Sequence, residues 1–559
     1  MCSNVKLENC QKNMLAIVFI ARAFALKSMI TKKWILLVLI FSILINSAKS
    51  YEISTNKSVS GHSFHLVKVD LERVDIYLTL CVWLLLSLIA KIIFHHFKKV
   101  SSLIPESCLL IILGFIIGAI IKFGKVTERT FFNAPIFFFI LLPPIVLDAG
   151  YFTNTSAFFD NFWTIISFAI NGTLFNALIV GTLMVACRSL YTITPQITWL
   201  EGLLFGAIIS AVDPVAVLAV FDELHVNEML YIIVFGESIL NDAVTVVLYG
   251  LFEQFLGMPS ISPSYIGQGV LLFLIDALGG TLIGLICGIF GAFITRFTKH
   301  VSVIEPLWIL LIAYLAYLLS ECFHFSGILG IFFCGILLKH YTEINVSNQS
   351  RTAIKYIIKT ISSISETYIF LQLGVSIYVI DLYWDTAFCL LSLTFIIVIR
   401  FIGVFILTFI ANTTSQTRKI KAIEQFVIAY GGLRGAVAYC LVSILPPSHY
   451  KNMFVTAVIF DILFTCFVQG ISIKPIVKLL KVRLSNEKED SMFDEVNESV
   501  IQKTVKAINA ILGLVEYDFI KVFISAVDRK ILRRFILRKK NLKQCHEILL
   551  KNREILYRF

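Results

Sequence analysis

Between residues 75 and 480 the chain repeats one pattern, a long apolar stretch followed by a short polar connection. A bilayer core about 30 Å thick is crossed by a helix of about 20 such residues. Thirteen stretches fit, centred near Leu85, Ile112, Phe139, Ala177, Ser210, Leu240, Gly284, Ala313, Ile331, Phe370, Val398, Gly432 and Phe460. The ninth, Ser326 to Leu338, is short for a span. Only 15% of the 559 residues are charged and 58% are hydrophobic; an average soluble domain carries about 25% charged residues. A water-soluble globule is excluded, and an all-α polytopic membrane protein is expected.

The net charge of +11 then reports loop topology rather than nucleic-acid binding. With a cytoplasmic C-terminus, fifteen Lys and Arg fall on the inner side and five (Lys122, Lys125, Arg129, Arg188, Lys451) on the outer side. That bias predicts an outside N-terminus. Residues 1–50 read as an extension and signal peptide: Lys32 and Lys33 precede the apolar run Trp34 to Ile45, and Ala48-Lys49-Ser50 offers a cleavage site. Met29 is an alternative start, and an uncleaved anchor is the alternative to a signal peptide. Residues 51–74 are then extracellular, with Asn56 a glycosylation acceptor, while Asn154, Asn345, Asn348 and Asn412 face inward and stay unmodified. Twelve Cys are scattered, with no close pair at metal-ligand spacing. Residues 481–559 form a cytoplasmic tail with eight basic residues and no acid from Arg529 to Lys543. Apolar residues are interleaved there, which suits a partner groove, an anionic membrane surface or a solvated helix.

Ionisable residues within the spans carry the functional signal, because a charge in hydrocarbon is costly and marks an ion pathway or a structural pair. They are Asp148, Asp213, Glu237, Asp242, Asp276, Glu305, Glu366, Arg400, Arg434 and Asp461. In the sixth span Glu237 and Asn241 share a helix face, whereas Asp242 lies about 140° from Glu237. The two carboxylates therefore need not share one site, and Arg400 is the candidate partner for Glu237. The fifth span contains Asp213-Pro214, and the twelfth contains Gly431-Gly432-Leu433-Arg434-Gly435. Proline and clustered glycine both weaken a helix. Taking spans 1–6 and 8–13 as two halves, both breaks fall in the fifth span of a half. Paired broken helices point to a transporter site between inverted repeats. Arg434 is placed to neutralise freed carbonyl ends.

At these residues the sequence resembles the sodium/proton exchangers of the cation/proton antiporter superfamily. The matching stretches are Phe138 to Phe152 (FFILLPPIVLDAGYF), Ser210 to Phe221 (SAVDPVAVLAVF), Val234 to Tyr249 (VFGESILNDAVTVVLY) and Tyr430 to Ala438 (YGGLRGAVA). Val303 to Pro306 and Ser365 to Thr367 are similar too, and the form AYGGLRGA resembles the plasma-membrane branch. The resemblance covers residues 75–480. It implies an antiporter domain there, thirteen transmembrane helices in two inverted six-helix repeats, crossed broken helices five and twelve, and a homodimer in the plasma membrane. It implies that Asp242 binds the ion with Asp213 and Asn241 beside it, that Glu237 and Arg400 form a structural ion pair, and that Arg434 belongs to the broken twelfth helix. Glu366 and Asp148 match further acidic positions. Residues 520–545 are similar to a segment that binds a calcineurin B homologous protein. Two departures stand out: the tail is short, and Asp276 occupies a span that is apolar in the family.

The expected activity is electroneutral exchange of extracellular sodium for cytosolic protons, without enzyme chemistry or cofactor. Sodium, a hard cation, takes oxygen ligands, which Asp242, Asp213, Asn241 and carbonyls near Pro214 supply. A cation channel also places acids in its spans. An intramembrane aspartyl protease would need Asp213 and Asp242 as a dyad, which the Asn beside Asp242 and the break at Asp213 fit poorly.

Overall fold

Long apolar runs that lack breakers and carry their caps at the ends fold here into long helices. Asn227 shows how one begins: its Oδ1 accepts from Met229 N at 3.1 Å and opens a 29-residue helix. Thr198 and Glu201 open another through a reciprocal capping box. A computed structural model describes residues 81, 84–92, 104–123, 134–192, 196–213, 215–258, 263–298, 301–380, 382–414, 419–480, 504, 527–528 and 532–536. The signal-peptide region, residues 51–74 with Asn56, Pro214, and nearly all of residues 481–559 lie outside the described residues.

Residues 1–97 form one unit, of which 84–92 are helical. The second unit, from Lys98 onward, holds the rest. Its helices are α1 (Glu106–Phe123), α2 (Phe137–Phe152), α3 (Phe162–Ala186), α4 (Trp199–Ser210), α5 (Val215–Leu224), α6 (Glu228–Leu256) and α7 (Pro263–Ile294). They continue with α8 (Glu305–Cys322), α9 (Gly327–Asn345), α10 (Asn348–Val379), α11 (Thr386–Thr414), α12 (Ala422–Tyr430), α13 (Ala436–Ile444) and α14 (Lys451–Leu479). The described residues form helices and no strand. Seven of the helices are long and apolar enough to cross a membrane, so the chain is a multi-pass membrane protein. Every stretch centred in the sequence falls on a helix or on a helix break. The ninth is longer than its apolar run suggested: α9 continues through Lys339 and His340 to Asn345 and has 19 residues.

Packing sorts the helices of the second unit into two sets. In one, α1 packs on α10, α9 on α2 and α7, and α8 on α7 and α9. In the other, α3 packs on α4 and α11, α4 on α6, and α13 on α14. Small residues bring the axes together within each set, as is usual where lipid offers no hydrophobic drive. Between α3 and α4 the approach is so close that a Cβ on Gly206 would lie 2.2 Å from Ala177 O.

Two tethers outside the apolar helices fix their ends. At the start of α11, Asp385 accepts from Thr192 N and Thr192 Oγ1, each at 2.7 Å, and from Phe388 N at 3.1 Å. Burial alone would push this carboxyl up, but the hydrogen bonds from Thr192 and from the backbone of Phe388 and Ala387 hold it below the ordinary carboxylate range. On α9, Tyr341 donates to Asp528 at 2.6 Å and the Asn345 amide donates to Ile536 O at 3.2 Å. Ile536 is buried against Ala292 and Tyr341, so this piece of the tail docks on α7 and α9. The Asn345 amide is thereby engaged and buried.

Asp385→Ala removes a helix cap and three charge-assisted bonds and should cost about 1–3 kcal/mol. A depressed folded-state pKa contributes stability above the unfolded value of about 4 that is lost as pH falls through the folded value. Melting of the purified protein should therefore show wild type well above Asp385→Ala at neutral pH, with the gap closing in acid. A gap that widens in acid would refute the clamp.

Candidate functional site

The fifth and twelfth apolar stretches each become two short helices. α4 stops at Ser210, and residues 211–213 are non-helical before α5 begins at Val215. α12 stops at Tyr430, and residues 431–435 are non-helical before α13 begins at Ala436. The two breaks meet: Asp213 N donates to Leu433 O at 2.8 Å. Gly435 makes that approach possible, since a Cβ there would lie 2.1 Å from Asp213 Oδ2 and 2.3 Å from Asp213 Cβ.

A helix that stops inside a membrane leaves carbonyls without partners. Here each break is met by an arginine. Arg434 Nη1 donates to Ser210 O at 2.9 Å and to Ala211 O at 3.0 Å, so the arginine of one break closes the other. Arg400, from α11, donates through Nη2 to Ile428 O at 3.4 Å near the end of α12. Its Nη1 forms a buried ion pair with Glu237 Oε1 of α6. Ser238 Oγ donates to Val212 O at 2.5 Å. Asp213 Oδ1 accepts from Val215 N at 3.0 Å and so starts α5.

Asp242, Asn241 and Glu237 share α6 but do different things. Glu237 is turned to Arg400. Asn241 is fully buried; its Oδ1 accepts from Thr245 Oγ1 at 3.2 Å, and its Nδ2 has no hydrogen-bond partner. Thr245 Oγ1 also lies 3.3 Å from Ser210 Oγ, which ties α6 to α4. Asp242 is half-buried on α6, the helix whose Ser238 bonds to Val212 O next to Asp213. The meeting of the breaks thus sets Asp213 against α6, which carries Asp242 and the buried Asn241 amide, and among the described residues neither aspartate forms an ion pair with an arginine. Such a cluster of oxygens in a low-dielectric setting suits a hard monovalent cation or a proton.

Asp148 and Glu366 belong elsewhere. Asp148 lies half-buried on α2 beside Ser362 and in the field of Lys359, and Asp222 feels the same lysine. Glu366 is half-buried on α10. Gly431 and Gly432 line the second break, where a Cβ on Gly432 would lie 2.9 Å from Arg400 Nε. Asp276 is half-buried on α7, with its carbonyl accepting from Ser326 N at 3.1 Å. Sequence reasoning did not single out Ser238, Thr245 or Thr465, because isolated hydroxyls in apolar helices are commonplace.

The family model described as "Sodium/hydrogen exchanger, transmembrane" matches residues 84–479. The chain is 42% identical over 493 residues to the Na(+)/H(+) exchanger beta of Oncorhynchus mykiss, covering 88% of this chain and 65% of that protein. It is 44% identical over 492 residues to sodium/hydrogen exchanger 2 of Oryctolagus cuniculus, covering 87% and 60%. With sodium/hydrogen exchanger 3 of Mus musculus it shares 42% over 523 residues, covering 91% and 62%. It therefore spans less than two thirds of these relatives' length. Among solved structures, the sodium proton antiporter MjNhaP1 from Methanocaldococcus jannaschii at pH 8 superposes with a TM-score of 0.58 at 23% identity, over 73% of this chain and 99% of that one. At that identity the likeness concerns the fold.

Removing one partner of a buried ion pair typically costs about 3–5 kcal/mol. Glu237→Gln should therefore lower the yield of folded protein at the cell surface. The swap Glu237→Arg with Arg400→Glu should restore part of that yield, and a swap that restores none would count against the pair. Gly435→Ala should destabilise by about 1–3 kcal/mol through overpacking. Gly250→Ala, where nothing lies within 4 Å of the new Cβ, serves as the tolerated control in the same melting assay.

Proposed function

The chain belongs to the sodium/hydrogen exchanger family, and on that premise we propose that it is a secondary active antiporter exchanging extracellular sodium for cytosolic protons, one for one. The observation that carries the reading is the meeting of the two helix breaks, Asp213 N on Leu433 O, against the helix that carries Asp242. Asp242 is the ion-binding carboxylate, and Asp213 and Asn241 complete the site. Sodium and the proton are substrates, held in turn. A carboxylate withdrawn from water is costly to keep bare, so it carries one cation or the other, and competition couples the two fluxes. Asn241 beside Asp242 contributes no charge, where an aspartate would suggest a second titrating charge. One-for-one exchange moves no net charge, and a tenfold inward sodium gradient supplies about 1.4 kcal/mol for proton extrusion. The physiological outcome is control of intracellular pH and sodium.

The same reading places thirteen spans in two inverted repeats, with the N-terminus outside and the C-terminus in the cytoplasm of a plasma-membrane homodimer. Asn56 carries the glycan, and residues 520–545 take a calcineurin B homologous protein. Support comes from the Lys and Arg bias of the loops and from the two breaks occupying equivalent places in the halves. The relatives described above are named exchangers and antiporters, which leaves a cation channel without support.

Asp242→Asn should abolish sodium-dependent recovery from an acid load in exchanger-deficient cells while surface expression stays normal. Near-normal recovery in that variant would remove Asp242 from the site.

A further inference from the structure

A pair of hydroxyls spans the seam between the two sets of helices. α13, in the set that holds the crossing, packs on α10 of the other set. There the hydroxyls of Tyr439 and Ser376 meet at 2.5 Å, and both residues are buried. A serine hydroxyl has one proton, and Ser376 gives it to Gln372 O at 2.7 Å, one turn back along α10. Tyr439 is therefore the donor across the seam. It stands one turn beyond Gly435, the glycine that packs on Asp213. On the topology proposed above, α10 ends at Val379 and α13 at Ile444 on the outer side of the membrane. On that topology the pair lies between the crossing and the outside.

Gln372 shares the face of α10 that carries Ser376, because residues four apart align along a helix. It is buried, and its Oε1 has no hydrogen-bond partner. A buried acceptor left without a partner is costly, and a made bond is modestly favourable. The closed seam thus keeps one bond that parting would break and strands one acceptor that parting would wet. The two act in opposite directions on the same opening.

We propose that the bond from Tyr439 to Ser376 is a latch that holds the outer side of the crossing shut, and that Gln372 is its counterweight. Sodium from outside reaches the crossing only when α13 parts from α10. Its apparent affinity is then diluted by the fraction of molecules that are open to it. Weakening the latch raises that fraction and lowers the external sodium needed for half-saturation. Replacing Gln372 with an apolar side chain removes the acceptor that parting would wet, and raises it. This inference rests on the exchange reading and topology above.

The test uses the full chain in exchanger-deficient cells, with external sodium titrated at a clamped cytosolic pH and initial proton efflux as the readout. Tyr439→Phe removes the donor and keeps the ring, and Ser376→Ala removes the acceptor. Each should lower half-saturating external sodium about threefold or more, and the double variant should go no further than either single one, since both remove one bond. Gln372→Leu should raise it by a similar factor. A second readout follows the opening itself. Ser443 is half-buried one turn further along the same face of α13. A Ser443→Cys background, exposed to a membrane-impermeant methanethiosulfonate from outside, should be modified about threefold faster with Tyr439→Phe or Ser376→Ala than without them. The same cells with Ser443 intact supply the baseline for the native cysteines. A purely structural role would lower surface yield and leave both readouts where they were. Unchanged half-saturation or unchanged modification in the two latch variants overturns the latch, and a Gln372→Leu variant that falls or stays level overturns the counterweight. Absence of sodium-driven proton efflux in the wild type overturns the exchange reading and this inference together, whereas unmoved variants beside an active wild type overturn this inference alone.

Discussion

Hydrocarbon cannot hydrogen-bond a free carbonyl, and that constraint governs the centre of this protein. Two helices stop halfway through the membrane domain, and every carbonyl left near the stops needs a partner from inside the fold. Arg434 takes Ser210 and Ala211, Ser238 takes Val212, and Arg400 reaches Ile428. Turn-like bonds from Gly431 N to Val427 O and from Gly432 N to Ala429 O close what remains of the second stop. The interruption of the two helices is stable only because of these partners.

Using arginine for that purpose has an electrostatic consequence. A guanidinium spreads several donors in a plane and stays charged, so it is well suited to buried carbonyl ends. It also places a positive charge in the interior, one residue from Gly435, which packs on Asp213. Glu237 answers Arg400 by direct contact. Among the described residues Asp213 and Asp242 form no ion pair with an arginine, which on the proposed reading leaves them for a cation. Separating bracing charges from binding charges explains why α6 carries two acids on different faces.

The breaks were legible in the sequence because Pro214 and the glycines of 431–435 are local signals, and an intramembrane arginine is rare enough to suggest its partner. The destination of Arg434 was only half legible. Freed carbonyls were expected near it, but which break it closes depends on how α4 and α12 cross, and no local pattern encodes a crossing. Hydroxyls such as Ser238 and Thr465 gave no signal, since their role exists only once another helix presents a carbonyl or an amide. The apolar residues interleaved in 529–543 signalled a docking face, but that Ile536 lands on Tyr341 was not legible, since the groove it fills exists only once α7 and α9 pack. The length of α9 was underestimated because its last turns carry Lys339, His340 and Glu343, which an apolar count discards but a helix tolerates.

On the proposed antiporter reading, the distribution of polar bonds also bears on how the site opens to either side. The crossing ties α4, α6, α11, α12 and α14 together through Arg400, Arg434, Ser238, Thr245, Ser392 and Thr465. Breaking any of these inside hydrocarbon strands a donor or an acceptor. The set formed by α1, α2 and α7–α10 meets that group through fewer polar links, among them Ser376 with Tyr439. Sliding apolar surfaces past each other costs far less than exposing carbonyls. A motion that alternates access should therefore keep the crossing intact as one body and move it against the other set, because the bonds that make the broken helices stable are the ones that forbid bending at the breaks.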